Sequence, residues 1–208
     1  MIEYNSSEYL NYLEEQRQKV RRVDSKAYRG VLGLSWEIEN FGSEKKLVIK
    51  KTKEVLPPSK IKGDILVVGA RYGSDIDLLT LAGYKNILGI DIYDPPKHPK
   101  VLYLDAHFLS KLNRKFGLFY IYHVMEHLLY PSKVISEIEK VITPGGFVSV
   151  TVPTPLRKKE GRDAQTEFDS VEDLIKAFED KNFRVHQECK LSELNMRSIV
   201  FQYVGRQL

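Results

Sequence analysis

The stretch from Asp64 to Asp91, DILVVGARYGSDIDLLTLAGYKNILGID, narrows the possible folds more than any other part of the chain. Ile65 to Val68 is a continuous apolar run rich in β-branched residues, the pattern of a strand covered on both faces. Gly69 to Gly73 reads as a tight turn. Ser74 is placed to cap a following helix, where Asp75 and Asp77 suit the positive end of the helix dipole. Ile76, Leu78, Leu79 and Leu81 give that helix a wide apolar face, and Ala82-Gly83 ends it. Asn86 to Ile90 is a second apolar strand, closing on Asp91. The whole is a β-turn-α-β unit with a right-handed crossover. Its glycine turn and Asp91 share the carboxyl edge of a parallel sheet, the edge at which open α/β sheets bind ligands.

A chain of 208 residues, 42% hydrophobic and 29% charged, fits one α/β domain with extensions. A net charge of +4 permits anionic partners without implying nucleic acid. One cysteine, Cys189, excludes an internal disulfide framework. The opening MIEYNSSEYL carries no basic-then-apolar leader pattern, and no apolar run is long enough to span a bilayer. The expectation is a cytoplasmic protein, with an N-terminal helix and cap over residues 1–62 and the main domain over residues 63–208.

Asn5 and Glu8 resemble a capping box for a helix from about Ser6 to Arg22, with Tyr9, Leu10, Leu13 and Val20 as a modest apolar stripe. The basic end of this helix (Arg17, Lys19, Arg21, Arg22) is expected to face water, with a lid over a ligand cleft as the competing reading. Trp36, Ile38 and Phe41, then Leu47, Val48 and Ile49, read as two short strands around Gly42-Ser43. Further on, Val101 to Leu104 is a third strand and Phe108 to Leu112 a short helix. Phe116 to Tyr122 is an aromatic-rich fourth strand, and a helix opened by Ser132 runs to the turn Thr143-Pro144-Gly145-Gly146. Phe147 to Val152 is a fifth strand. After a polar loop from Pro153 to Asp169 come a helix begun by Ser170 and two strands, Phe183 to Cys189 and Ser198 to Val204. The short connection between these last two makes them antiparallel. The predicted architecture is a three-layer α/β/α sandwich around a Rossmann-like seven-stranded sheet with a C-terminal antiparallel strand pair.

From Asp64 to about Pro155 the chain resembles the class I S-adenosylmethionine-dependent methyltransferases. The resemblance rests on four features in order: GARYG, the acid in GID, DAH after strand three, and FGLFYIYHVMEHL…PSKVISEIEKVITPGGFVSVTVP. It implies S-adenosyl-L-methionine as cofactor. Gly69, Ala70, Arg71, Tyr72 and Gly73 would then pass under its methionine and ribose, where glycines let backbone N–H groups come close. Asp91 would accept from the ribose hydroxyls and Asp105 from the adenine amino group, with Ile92 on the ring and Ala106 and His107 lining its pocket. Two positions depart from the family pattern. Val67 stands where an acid is usual and Arg71 where a glycine is usual. A nicotinamide fingerprint would need glycines at positions 71 and 74 and has neither.

His123, Glu126 and His127 spell His-x-x-Glu-His, but the pattern follows a strand and precedes a proline, which excludes a helical zinc-protease site. Some methyltransferases hold a divalent metal at this turn; we assign no metal ligands here. Moving a methyl from a sulfonium to a hydroxyl needs alignment and a base for the proton. His123 is the first candidate base and His127 the second, with Tyr122 and the Pro153–Asp169 loop as candidate substrate contacts. The predicted activity is methylation of a small molecule, a sugar or other hydroxylated metabolite, at O or N. A non-catalytic module on the same fold is the rival. RNA methylation is disfavoured, because Glu14, Glu15, Glu160 and Asp163 interrupt the basic residues.

Overall fold

A computed structural model describes residues 7, 9–15, 18, 33–93, 96, 98–156 and 167–205. Its elements run α1 (Gly33–Val55), β1 (Asp64–Val68), α2 (Ser74–Leu81), β2 (Ile87–Asp91), β3 (Val101–Tyr103), β4 (Phe116–Tyr122), α3 (Pro131–Val141), β5 (Ile142–Pro153), α4 (Val171–Glu179), β6 (Phe183–Leu191) and β7 (Met196–Tyr203). The seven strands form one sheet in the order β3-β2-β1-β4-β5-β7-β6. The first five are mutually parallel, and β7 is antiparallel to both β5 and β6. The order reverses beside β1, so the carboxyl ends of β1, β2 and β4 converge on one crevice.

Every residue of β4 is buried, because each face of the sheet is covered. Leu66, Val68, Phe119 and Ile121 join the core under α3 and α4. Ile65, Val67, Leu118, Tyr120 and Tyr122 join the core under α1 and α2. Val67 therefore packs in the helix-covered layer at 1% exposure, where a carboxylate would lie among apolar side chains. The unusual valine is a core residue and takes nothing from the crevice. Gly117 marks a close backbone approach: a Cβ there would lie 2.0 Å from the Lys62 carbonyl oxygen, at the point where the β1–β4 register shifts.

Four expectations are corrected. Residues 36–49 form no strands; they belong to α1. Over residues 42–56 the buried positions are Gly42, Lys45, Val48, Ile49, Thr52 and, just beyond the helix, Leu56, a helical spacing partly built from residues that are not apolar. Ser74 is not the cap of α2. Gly73 occupies that position with φ 85°, and Ser74 is buried one residue inside, accepting from Lys45 Nζ at 2.7 Å. The short helix expected at 108–112 is a pair of 3₁₀ turns spanning Ala106–Leu112, and the strand begun at Phe147 starts earlier, at Ile142.

Candidate active site

At the end of β1 the chain turns sharply. Gly69 and Ala70 donate their N–H groups to the Ile90 carbonyl at 2.9 and 3.0 Å, and Gly73 donates to Ala70 at 2.7 Å. Gly69 has φ +73°, and a Cβ on it would lie 2.4 Å from Val124 Cγ2. Arg71, at φ 43°, also adopts the left-handed backbone that glycine tolerates best. The turn then meets Asp91 at the end of β2. The Arg71 N–H donates to Asp91 Oδ2 at 2.8 Å and the Tyr93 N–H to Oδ1 at 2.9 Å. Burial raises the Asp91 carboxyl above its ordinary range, against the pull of these amides and the Arg71 charge.

The crevice beside this pair is a cleft of about 290 Å³. Gly69, Arg71, Asp91, Ile92, Asp105, Ala106, His123 and His127 line it, so residues far apart in sequence meet at one cleft. Val68, Ile90, Leu104, Val124, Leu128 and Tyr12 complete its walls. Ala70, Tyr72, Gly73 and His107 are not among the lining residues. Ala70 and Tyr72 are buried. Gly73 lies under the His98 ring, whose nearest atom would be 2.4 Å from an added Cβ.

Asp105, on the lining, and His107, behind it, form a buried unit. Asp105 Oδ1 accepts the His107 N–H at 2.8 Å and also contacts His107 Nδ1, while Oδ2 accepts from the Tyr9 hydroxyl at 3.0 Å. Burial works to raise this carboxyl, but the hydrogen bonds from His107 and Tyr9 outweigh it and hold the group below its ordinary value. His107 Nε2 accepts from the Tyr130 N–H at 3.3 Å. With Nδ1 donating and Nε2 accepting, both ring nitrogens are committed to holding the wall.

In sequence Tyr9 reads only as part of an amphipathic stripe, and Tyr12 is not singled out. Both are buried, at 2% and 5% exposure, and Tyr12 faces the cleft. Burial, then the charges of Asp105 and Asp91, raise the Tyr12 phenol well above its ordinary value, so it stays protonated. The helical segment at residues 9–15 thus packs on the domain with Tyr12 on the cleft and Tyr9 on Asp105. The basic residues from Arg17 to Arg22 and the cluster Arg157 to Lys159 lie outside the described residues. In the sequence, Tyr9 and Tyr12 stand three positions apart, which places them as a pair on one helical face.

At the end of β4, His123 has φ 54° and donates its N–H to the Thr151 carbonyl at 3.0 Å. Its Nδ1 lies 2.7 Å from Glu126 Oε1. Glu126 is 3% exposed in the 3₁₀ turn Met125–His127. Tyr122, from the same strand end, turns the other way: its hydroxyl donates to Glu44 at 3.3 Å, and it lies in the α1-covered core rather than on the cleft. Among the described residues, no three His, Cys, Asp or Glu side chains are grouped to hold a metal ion.

The family model described as a methyltransferase domain matches residues 41–188. The chain belongs to the class I S-adenosylmethionine-dependent methyltransferases. Solved methyltransferases share the fold. Magnesium protoporphyrin IX methyltransferase from Synechocystis, with bound S-adenosylmethionine, superposes with a TM-score of 0.65 at 15% identity over 92% of this chain and 96% of that one. The N-methyltransferase NodS from Bradyrhizobium japonicum, in complex with S-adenosyl-L-homocysteine, gives 0.62 at 15% identity over 82% and 92%. A methyltransferase from Archaeoglobus fulgidus gives 0.59 at 17% identity over 83% and 100%. No curated protein sequence matches this one. In this methyltransferase no described helix is long and apolar enough to cross a membrane.

Proposed function

We propose that this methyltransferase binds S-adenosyl-L-methionine in the cleft below the glycine turn and methylates a hydroxyl group of a small molecule, a sugar or other hydroxylated metabolite, with His123 as general base. The observation that carries the reading is Asp91. Each of its oxygens accepts one backbone N–H, and an ionised carboxylate offers about four acceptor sites, so two remain for a pair of vicinal hydroxyls. Its burial leaves the charge under-compensated, which favours further donors. The residues present therefore fit a ribose.

Ile92, Leu104, Ala106 and Leu128 give the cleft the apolar flank that a purine needs. Asp105 Oδ1 already accepts two hydrogen bonds from His107, whereas among the described residues Oδ2 accepts from Tyr9 alone. One site on Oδ2 is left for the adenine amino group. Gly69 presents the turn to the methionine end, and Arg71, also on the cleft, brings a cation suited to its carboxylate. When bound, the cofactor supplies an electrophilic methyl that an acceptor oxygen displaces from sulfur, the S–C electron pair staying on sulfur. His123 takes the proton that the hydroxyl loses, and His127, also on the cleft, is the alternative base. A cytoplasmic setting belongs to this reading, in keeping with the single free thiol of Cys189.

Calorimetry with S-adenosyl-L-homocysteine tests it. The wild type binds, and Asp91→Ala loses affinity by tenfold or more while keeping its circular dichroism. Unchanged affinity would place the ribose elsewhere.

A further inference from the structure

Glu126 is a buried acid that the reaction above does not use. Its Oε1 faces two imidazoles, His123 Nδ1 at 2.7 Å and His127 Nε2 at 3.9 Å, and both rings line the cleft. Its Oε2 has no hydrogen-bond partner among the described residues.

An ionised carboxylate can only accept, so the hydrogen in the 2.7 Å contact belongs to His123 Nδ1. The other ring nitrogen then carries a lone pair. The ring is held in place from several sides. The backbone sits in the left-handed region at φ 54°, its N–H is tied to Thr151, and the Tyr122 ring packs edge-on at 4.8 Å between centroids. Such backbone strain in a non-glycine residue persists only where the surroundings over-determine it, and it clusters at functional sites. Met196 Sδ lies 3.4 Å from His123 Nε2. In the Nδ1–H tautomer neither Nε2 nor the thioether has a hydrogen to share, so this is a van der Waals contact with a flexible side chain and can give way to a hydroxyl that donates to Nε2.

We propose that Glu126 is a positioning residue that holds His123 as the Nδ1–H tautomer, with the Nε2 lone pair presented to the acceptor hydroxyl, and that the same carboxylate opposes the charge on whichever of His123 and His127 carries the extra proton. The inference rests on the methylation reading, since it concerns that reaction's proton. The acceptor O–H bond breaks with its electron pair left on oxygen, and the proton passes to Nε2. The resulting imidazolium keeps its Nδ1–H on Glu126. The proton is then released to water, which reaches both rings: the side chains of His123 and His127 are 31% and 43% exposed.

The tautomer is readable without a methyl acceptor. In protein labelled with ¹⁵N-histidine, two-bond ¹H–¹⁵N correlations at mildly alkaline pH show His123 as Nδ1–H. Glu126→Leu removes the acceptor, and the Nδ1–H preference is lost; Glu126→Gln restores it through the amide oxygen. An Nε2–H tautomer in the wild type, or an unchanged spectrum in Glu126→Leu, overturns the proposal. Should the leucine variant not fold, the wild-type spectrum decides alone. S-adenosyl-L-homocysteine titrated into the same samples separates the two readings, because failure to bind it removes the cofactor site and leaves the tautomer as measured.

Discussion

Tyr9 donates its hydroxyl hydrogen to Asp105 Oδ2 at 3.0 Å, a contact between residues 96 positions apart that fastens the N-terminal helical segment over the cleft wall. The bond is buried and charge-assisted, so its loss costs more than that of a surface contact. Tyr9→Phe keeps the ring and removes the donor. The expected loss is about 1.5–3 kcal/mol in urea unfolding at neutral pH. The sign of its pH dependence follows from Asp105, whose folded-state carboxyl is held below its ordinary value. That stabilisation is full above the unfolded-state value and disappears as pH falls through the folded one. The gap between wild type and variant therefore narrows on acidification; a gap that widens would assign the bond no share in holding Asp105 ionised.

Lys45 supplies a second long-range tie. Its Nζ is 2.7 Å from both Ser74 Oγ and Asp75 Oδ2, with both charged side chains only 5% exposed, so α1 is pinned to the start of α2 directly behind the glycine turn. Removing one partner of a buried pair leaves the other charge uncompensated and typically costs about 3–5 kcal/mol. Lys45→Met should show a loss of that size. Lys45→Met with Asp75→Asn should recover part of it, since the stranded charge is gone. Strict additivity of the two single variants would mean the pair is not coupled.

Glu137 on α3 caps the 3₁₀ turns below the cleft. Its Oε2 accepts from the N–H and hydroxyl of Ser110 at 2.9 and 2.6 Å, and Oε1 accepts from Lys140 at 2.7 Å. Burial pushes this carboxyl up, but Lys140 and Ser110 push harder, and its value falls to about 2. A depressed value means stability that is present above about 4.5 and is lost as pH drops toward about 2. Glu137→Gln should lower Tm at neutral pH and flatten its decline over that acid window. A parallel decline in both proteins would show that other carboxylates govern it.

Which parts were legible in sequence follows from how local each signal is. The β1-turn-α2-β2 unit and the end of β4 declare themselves because continuous apolar runs stop at glycines and acids, and strand ends of a parallel sheet must meet at one edge. That logic gathered Gly69, Asp91, Asp105 and His123 from four separate segments. It failed for α1, since Leu47-Val48-Ile49 looks like a strand unless Lys45 and Thr52 are known to be buried. It failed again for Tyr9, whose partner Asp105 is set by tertiary packing. A tyrosine in an amphipathic stripe carries no mark of the carboxylate that it will meet in space.

Gly69 is where backbone geometry and cofactor access meet. At φ +73° an L side chain costs roughly 1–2 kcal/mol, and an added Cβ would stand 2.4 Å from Val124 Cγ2. Val124 lines the cleft beside His123, so relief by pushing it aside deforms the site itself. Gly69→Ala should therefore weaken S-adenosyl-L-homocysteine binding by tenfold or more, with a stability loss near the backbone cost. Adding Val124→Ala removes the obstructing methyl and should restore part of the affinity while leaving the strain. Two effects with different cures are thereby separable in one calorimetric series. Full affinity in Gly69→Ala would mean that ligand does not approach this turn.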